Sequence, residues 1–275
     1  MAVPAVVTRC TQRMPNIEAS RRGLTASFLI MLIVNTLSQA QGPGFKQTNQ
    51  ALSFKNPTSV TPDPMTFMIW PLIFLMEAMI TAQEWRARGP FNSIEARRRA
   101  CLCLAFLSNA LWQVAFTNEW YVASALVMLL YLAALARAYV DLDFKPGTAN
   151  SFVLRAGVAV NFAWICVATC INVLLTVERV RLGLKPGETF EQPAGSEAIT
   201  SVVSVLLAAI AAAAAYRLDG AFPAAAAWAL LGVRRAQVAL SSRYAATFAG
   251  ICAAACAVEA VAAVVVYKKK AKLRY

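Results

Sequence analysis

From Leu24 to Tyr267 the chain is a succession of long apolar runs separated by short polar links. The runs cover Leu24 to Ala40, Met65 to Gln83, Arg99 to Phe116, Tyr121 to Val140, Ala156 to Val177, Ile199 to Tyr216, Phe222 to Val233 and Ala245 to Tyr267. A hydrocarbon core of about 30 Å is crossed by roughly 20 apolar residues in a helix, and most of these runs match that ruler. None alternates as a barrel strand does, and backbone groups in lipid must be satisfied within the segment, so the runs predict helices. The seventh run is short, and its helix would continue past Arg234 and Arg235 to Leu240 with the two arginines snorkelling or facing a protein neighbour. The composition agrees: 59% hydrophobic and 15% charged residues, with mean hydropathy +0.55. The fold class is therefore an all-α integral membrane protein of about eight transmembrane helices.

The formal charge of +12 could suggest nucleic acid, but in a polytopic membrane chain it reflects basic loops on one side. Eighteen of the 26 Lys and Arg residues, among them Arg97 to Arg99 and Lys268 to Lys270, fall on the side of the amino terminus, and eight fall on the other. Both termini should then face the cytoplasm, stroma or matrix, and no nucleic-acid partner is expected. The organisation divides into a basic flank at 1–23, a five-helix unit at 24–180, a Pro/Gly-containing link at 181–197, a three-helix extension at 198–267 and a basic tail at 268–275. The first 23 residues hold one acidic residue, Glu18, and read as an orienting flank or as an organellar targeting segment of a plastid or mitochondrial protein.

The chain has no histidine, which removes the commonest metal ligand and proton shuttle. Six of seven cysteines lie in apolar runs and read as small buried hydrophobes. No phosphate-binding glycine loop, dinucleotide fingerprint or nucleophile elbow occurs, and Asp141 and Asp143 beside Lys145 read as a solvated helix end. No enzymatic function, catalytic residue or metal site is expected, and no cofactor is required.

Polar residues inside the apolar runs carry the remaining information, because each is costly in hydrocarbon unless it meets a partner. Asn109 and Gln113 stand four apart on one helical face; Asn161, Thr169 and Asn172 follow in the fifth run. Interhelical hydrogen bonding explains them simply, and a polar lining for an apolar ligand is the sharper alternative. Trp85 and Trp120 sit near run ends, as interfacial tryptophans do, whereas Trp70, Trp112 and Trp164 are interior. Packing accounts for interior indoles; three broad flat rings would also suit a planar ring ligand such as a porphyrin or sterol. Glu77 is a carboxylate well inside a run, with a proton-coupled site or a tetrapyrrole magnesium ligand as minor functional readings.

Three segments, "TPDPMTFMIWPLIF" (61–74), "NALW" (109–112) and "WICVATCIN" (164–172), resemble in that order the second, third and fifth helices of the TspO/MBR family, also called translocator or tryptophan-rich sensory proteins. "YRLDGAFPAAAAWALLGV" (216–233) resembles longer tryptophan-rich relatives that add helices after the fifth. The resemblance implies a five-helix bundle enclosing a pocket, covered by the loop after the first helix, that binds a tetrapyrrole (porphyrin, haem or chlorophyll type), a sterol or another lipid. Carried onto matching positions, it implies that Trp70, Asn109, Trp112, Trp164, Ala168 and Asn172 line the pocket, with Gln113 beside them where this chain departs from the family's proline-containing run. Two functions follow: a sensor, carrier or chaperone for a hydrophobic ring ligand, or an accessory subunit of an organellar photosynthetic or respiratory supercomplex built on the same scaffold. Partners would be membrane lipids, the ring ligand, and a second copy or the subunits of such a complex. A secondary transporter has the thinnest support, since the chain lacks several membrane carboxylates or paired broken helices.

Overall fold

A computed structural model describes residues 17–86, 93–148, 150–189 and 195–273. Among these, helices α1 (Ile17–Gln39), α2 (Asn49–Lys55), α3 (Ile69–Arg86), α4 (Ser93–Thr117), α5 (Tyr121–Val140), α6 (Phe152–Leu182), α7 (Glu197–Tyr216), α8 (Ala221–Ala239) and α9 (Arg243–Lys272) account for all eight apolar runs. A 3-10 turn at Pro64–Met68 leads into α3. Among the described residues, six helical segments are long and apolar enough to cross a membrane, namely those at 64–86, 93–117, 121–140, 152–182, 197–216 and 243–272. The chain is an all-α integral membrane protein. Helices α1 and α8, expected as the first and seventh spans, are not among the six: α1 mixes Asn35, Ser38 and Gln39 into its apolar face, and α8 carries Arg234, Arg235 and Gln237.

Helix ends are set by local chemistry. The side chains of Thr48, Asp63, Ser151 and Ser196 each accept a backbone N–H of the first turn of the following helix, with Pro64 placed where its missing N–H costs nothing. Gly183 ends α6 in the left-handed conformation at φ 65°. The amino-terminal flank at residues 1–16, part of the link at 190–194 and the last two residues of the tail lie outside the described residues; α1 already begins within the flank at Ile17, and α9 runs into the tail as far as Lys272.

Neighbouring helices form a closed ring in the order α1, α4, α5, α6, α3, with the α3–α1 seam the thinnest. Helices α7, α8 and α9 pack on one another and reach the ring chiefly through α8, which lies against α6 and the 3-10 turn. Two helical glycines permit close approaches between elements. A Cβ on Gly157 would stand 2.8 Å from Ile80 of α3, and one on Gly232 would stand 2.0 Å from the Thr66 hydroxyl. On the side of the amino terminus, Arg99 and Glu84 form a buried 2.5 Å ion pair across the α3–α4 hairpin. Asp141 is held by Arg97 at 2.8 Å and Arg137 at 3.0 Å, and the Arg97 hydrogen bond keeps its carboxyl below the usual aspartate value.

The arginines of α8 find protein partners. Arg235 pairs with Asp63 and donates to Thr66 Oγ1 at 3.2 Å, and Arg234 lies across Gly250 of α9. Because Gly232 is in van der Waals contact with the 3-10 turn, Gly232→Ala should force the two segments apart at a cost of about 1–3 kcal/mol, as overpacking does. The expected result is a lower thermal midpoint of the detergent-purified chain, with Ala229→Gly on the same helix as a control for intrinsic helix propensity.

Candidate functional site

Inside the ring, three helices each contribute an indole. The 3-10 turn sets Phe67 one turn ahead of Trp70 in α3; α4 supplies Trp112 with Phe116 four residues on; α6 supplies Trp164. The Trp70 ring stacks on Trp112 at 6.4 Å and meets Trp164 edge-on at 6.0 Å. Phe67 meets Trp164 edge-on at 5.6 Å, and Trp112 stacks on Phe116 at 5.3 Å. Offset stacks and T-shaped pairs are the favoured aromatic geometries, each worth roughly 0.5–1.5 kcal/mol beyond area burial.

These rings enclose a cavity of about 30 Å³, whose remaining lining comes from Ala168, Ile171 and Asn172 of α6 and from Asn49 and Ser53 of α2. The loop after α1, legible only as an ordered lid or a floppy connection, is thus partly a short capped helix set over the aromatic cluster. A second cleft of about 250 Å³ lies at the α1–α3 seam and shares Asn49, Phe67 and Trp70 with the inner cavity. Trp70 is the indole that lines both. Both Trp112 Nε1 and Trp164 Nε1 are buried and meet no acceptor among the described residues, so two indole donors stand unsatisfied at the cavity wall.

Five of the seven residues expected to line one pocket do share this cavity: Trp70, Trp112, Trp164, Ala168 and Asn172. Asn109 and Gln113 lie elsewhere. Asn109 accepts a 2.7 Å hydrogen bond from Asn35 Nδ2, and Gln113 donates to Ser38 Oγ, so both tie α4 to α1. Their spacing puts them on one face, and that face looks toward α1 because α4 sits between α1 and α5 in the ring. Glu77 is buried behind the aromatic cluster, where its Oε1 accepts from Asn161 Nδ2 at 2.8 Å; Asn161 and Tyr131 are hydrogen-bonded at 2.9 Å. Glu77 lines neither the cavity nor the cleft. Among the residues missed from sequence, Phe67 and Phe116 stand at helical spacing from Trp70 and Trp112, a signal that would have found them, whereas Asn49 and Ser53 carry none.

The extension grips the segment that leads into this site. Gln237 donates to the Ser59 carbonyl at 2.7 Å, Thr200 donates to the same carbonyl at 2.8 Å, and Trp228 Nε1 donates to the Thr66 carbonyl at 3.0 Å. Burial acts to raise the Asp63 carboxyl, but the Arg235 guanidinium and the Thr66 hydrogen bonds outweigh it and hold the group below 3.8.

A membrane-embedded helical ring, closed around an aromatic cluster and lidded by the loop after its first helix, defines a polytopic membrane protein with an internal hydrophobic slot. A profile of the family described as TSPO-like protein matches residues 23–265, and the chain belongs to that family. No curated protein and no solved structure matches the chain significantly.

The Asp63–Arg235 clamp should be visible in stability. Asp63→Asn is expected to lower the thermal midpoint at neutral pH. Because the folded-state pKa is depressed, the contribution is present above 3.8 and is lost as pH falls through the folded value, so wild type and variant should converge in acid. A constant gap between the two melting curves across that range would contradict this assignment.

Proposed function

We propose that the protein is a non-enzymatic receptor, carrier or chaperone for a planar hydrophobic ring compound of the tetrapyrrole class, captured between the indoles of Trp70, Trp112 and Trp164. The observation that carries this reading is the pair of buried indole N–H donors, on Trp112 and Trp164, without acceptors beside an aromatic cavity. A ring ligand with acceptor atoms or peripheral carboxylates would satisfy those donors while its faces replace the indole-to-indole contacts. The inner cavity holds about the volume of one water molecule, so entry requires Trp70 to swing toward the outer cleft and merge the two spaces. The half-buried Trp70, stacked on Phe74 at the α1–α3 seam, is the ring best situated to do so.

The basic clusters Arg97–Arg99 and Lys268–Lys270 support a topology with both ends on the cytoplasmic, stromal or matrix side. A plastid or mitochondrial membrane remains the proposed location on the strength of the flank's composition alone.

The test is a titration of the purified protein with protoporphyrin, followed by both tryptophan emission and porphyrin absorbance. Saturable change with one site is expected, and Trp112→Phe/Trp164→Phe, which keeps an aromatic ring at each position and removes the donors, should weaken it about tenfold or more, the scale of two neutral hydrogen bonds at roughly 1 kcal/mol each. Equal affinity of variant and wild type would refute the role of the donors. The closed state of the slot favours a second reading, an accessory subunit of a membrane supercomplex in which the cluster is simply packing. Absence of any saturable change, together with co-purification in a large photosynthetic or respiratory assembly after mild extraction, would establish it over the first.

A further inference from the structure

A different region of the molecule carries its own site chemistry. Where the start of α6, the α7–α8 turn and the end of α9 meet, an apolar chamber of about 420 Å³ is walled by Phe144, Phe152, Leu218 and Val264. Its volume lies within the roughly 300–1,000 Å³ typical of small-molecule sites. Phe152 and Val264 are exposed, so the chamber opens outward along the surface that apolar helices present to lipid. The wall is built closely: the α7–α8 turn lies so near α9 that a Cβ on Gly220 would stand 2.9 Å from Val264 and 3.1 Å from the Ala260 carbonyl.

The mouth of the chamber is cationic. Arg155 and Lys268 line it, and an adjoining hollow of about 780 Å³ that shares Phe144 and Leu218 adds Lys145, Arg217 and Lys270. Three separate segments converge to supply these charges, and none of the five forms a salt bridge with a described carboxylate. Aromatic faces and carbonyls hold the two arginines in place. Arg155 donates to Tyr267 Oη at 3.3 Å and lies 5.5 Å over its ring, while Arg217 donates to the Leu142 carbonyl at 2.7 Å and lies 4.9 Å over Tyr139. Two carboxylates border the region. Asp219 is buried and already accepts from Tyr139 Oη at 2.7 Å and from the Ala221 backbone at 2.8 Å, and Asp143 accepts the backbone N–H of Lys145 at 3.0 Å. Burial also pushes the Asp219 carboxyl above its usual value, which reduces its opposition to an anion.

We infer that this is a binding site for an anionic phospholipid, whose phosphate is held at the mouth by Arg155, Lys268 and Arg217 and whose acyl chain fills the apolar chamber. Cations alone would attract any anion, and an apolar groove alone would take any chain. Their juxtaposition at a helix-end level, where headgroups lie, selects a molecule with both parts. The site stands apart from the aromatic slot and shares none of its residues.

The experiment is native mass spectrometry of the full-length protein in neutral detergent, titrated with phosphatidylglycerol, with phosphatidylcholine of the same chains, and with inorganic phosphate. Phosphatidylglycerol should be retained at least tenfold more tightly than phosphatidylcholine and should not be displaced by inorganic phosphate at equal concentration. Arg155→Gln/Lys268→Gln should weaken phosphatidylglycerol about thirtyfold, from roughly fivefold per cation, and leave phosphatidylcholine unchanged. Val264→Trp keeps every charge and narrows the chamber; it should weaken phosphatidylglycerol as well, and it serves as the test should the charge variant not fold. Equal retention of the two lipids, displacement by inorganic phosphate, or wild-type phosphatidylglycerol binding by a folded variant would each overturn the assignment.

Discussion

In hydrocarbon, apolar side chains give one helix little reason to prefer another helix over lipid, so the arrangement of this bundle depends on close packing and on hydrogen bonds between side chains inside it. Asn35 to Asn109 and Gln113 to Ser38 join α1 to α4; Asn161 joins Tyr131 of α5 and Glu77 of α3 to α6; Ser124 Oγ donates to Asn172 at 3.1 Å and joins α5 to α6 again. These contacts tie α1 to α4, α5 to α6 and α6 to α3; the α3–α1 seam has a link of its own, Trp85 Nε1 donating to Thr25 Oγ1 at 2.9 Å, about four turns along α3 from Trp70. The outer cleft lies at that seam. That seam is the thinnest contact of the ring, and Trp70 lines the cleft there.

The three-helix extension acts on the same wall from the other direction. Its contacts fall on Ser59, Asp63 and Thr66, the residues just before Phe67 and Trp70, through Thr200, Trp228, Arg235 and Gln237. It therefore restrains the segment that leads into the aromatic cluster and is more than an appended domain. At the opposite end of the bundle, Tyr139 to Asp219 ties α5 to the α7–α8 turn, so the extension is held at both ends.

How much of this was legible depends on whether the determinant is local. Apolar length and the serine, threonine and aspartate caps are local, and all eight long helices lie where the runs predict them. The Trp70, Trp112 and Trp164 convergence became legible through family resemblance, and their ring geometry agrees with it. Asn109 and Gln113 show the limit. Helical periodicity establishes that they share a face, but one residue is a rotation of about 100° in a helix, and Trp112 next to Gln113 already faces the slot while Gln113 faces α1. Which neighbour occupies each direction is a property of ring order, and ring order is set by contacts distant in sequence. The helix α2 was hidden for a related reason: seven residues are too few for a periodic signal, and its stability derives from its Thr48 cap and its place over the cluster.

The same physics decides what opening the slot would require. Trp70 makes three ring contacts, with Phe74, Trp112 and Trp164, which together oppose its displacement by about 1.5–4.5 kcal/mol if each carries the usual aromatic increment. A minor open state of that energy lowers the apparent affinity of any ligand that needs it by the same amount. A small apolar ligand cannot recover the difference, because it replaces few ring contacts and leaves the Trp112 and Trp164 donors unmet. A large planar ring with acceptors recovers both. On the proposed ring-ligand reading, the contacts that fill the closed slot would set a threshold favouring a ligand as broad and flat as the indoles it displaces.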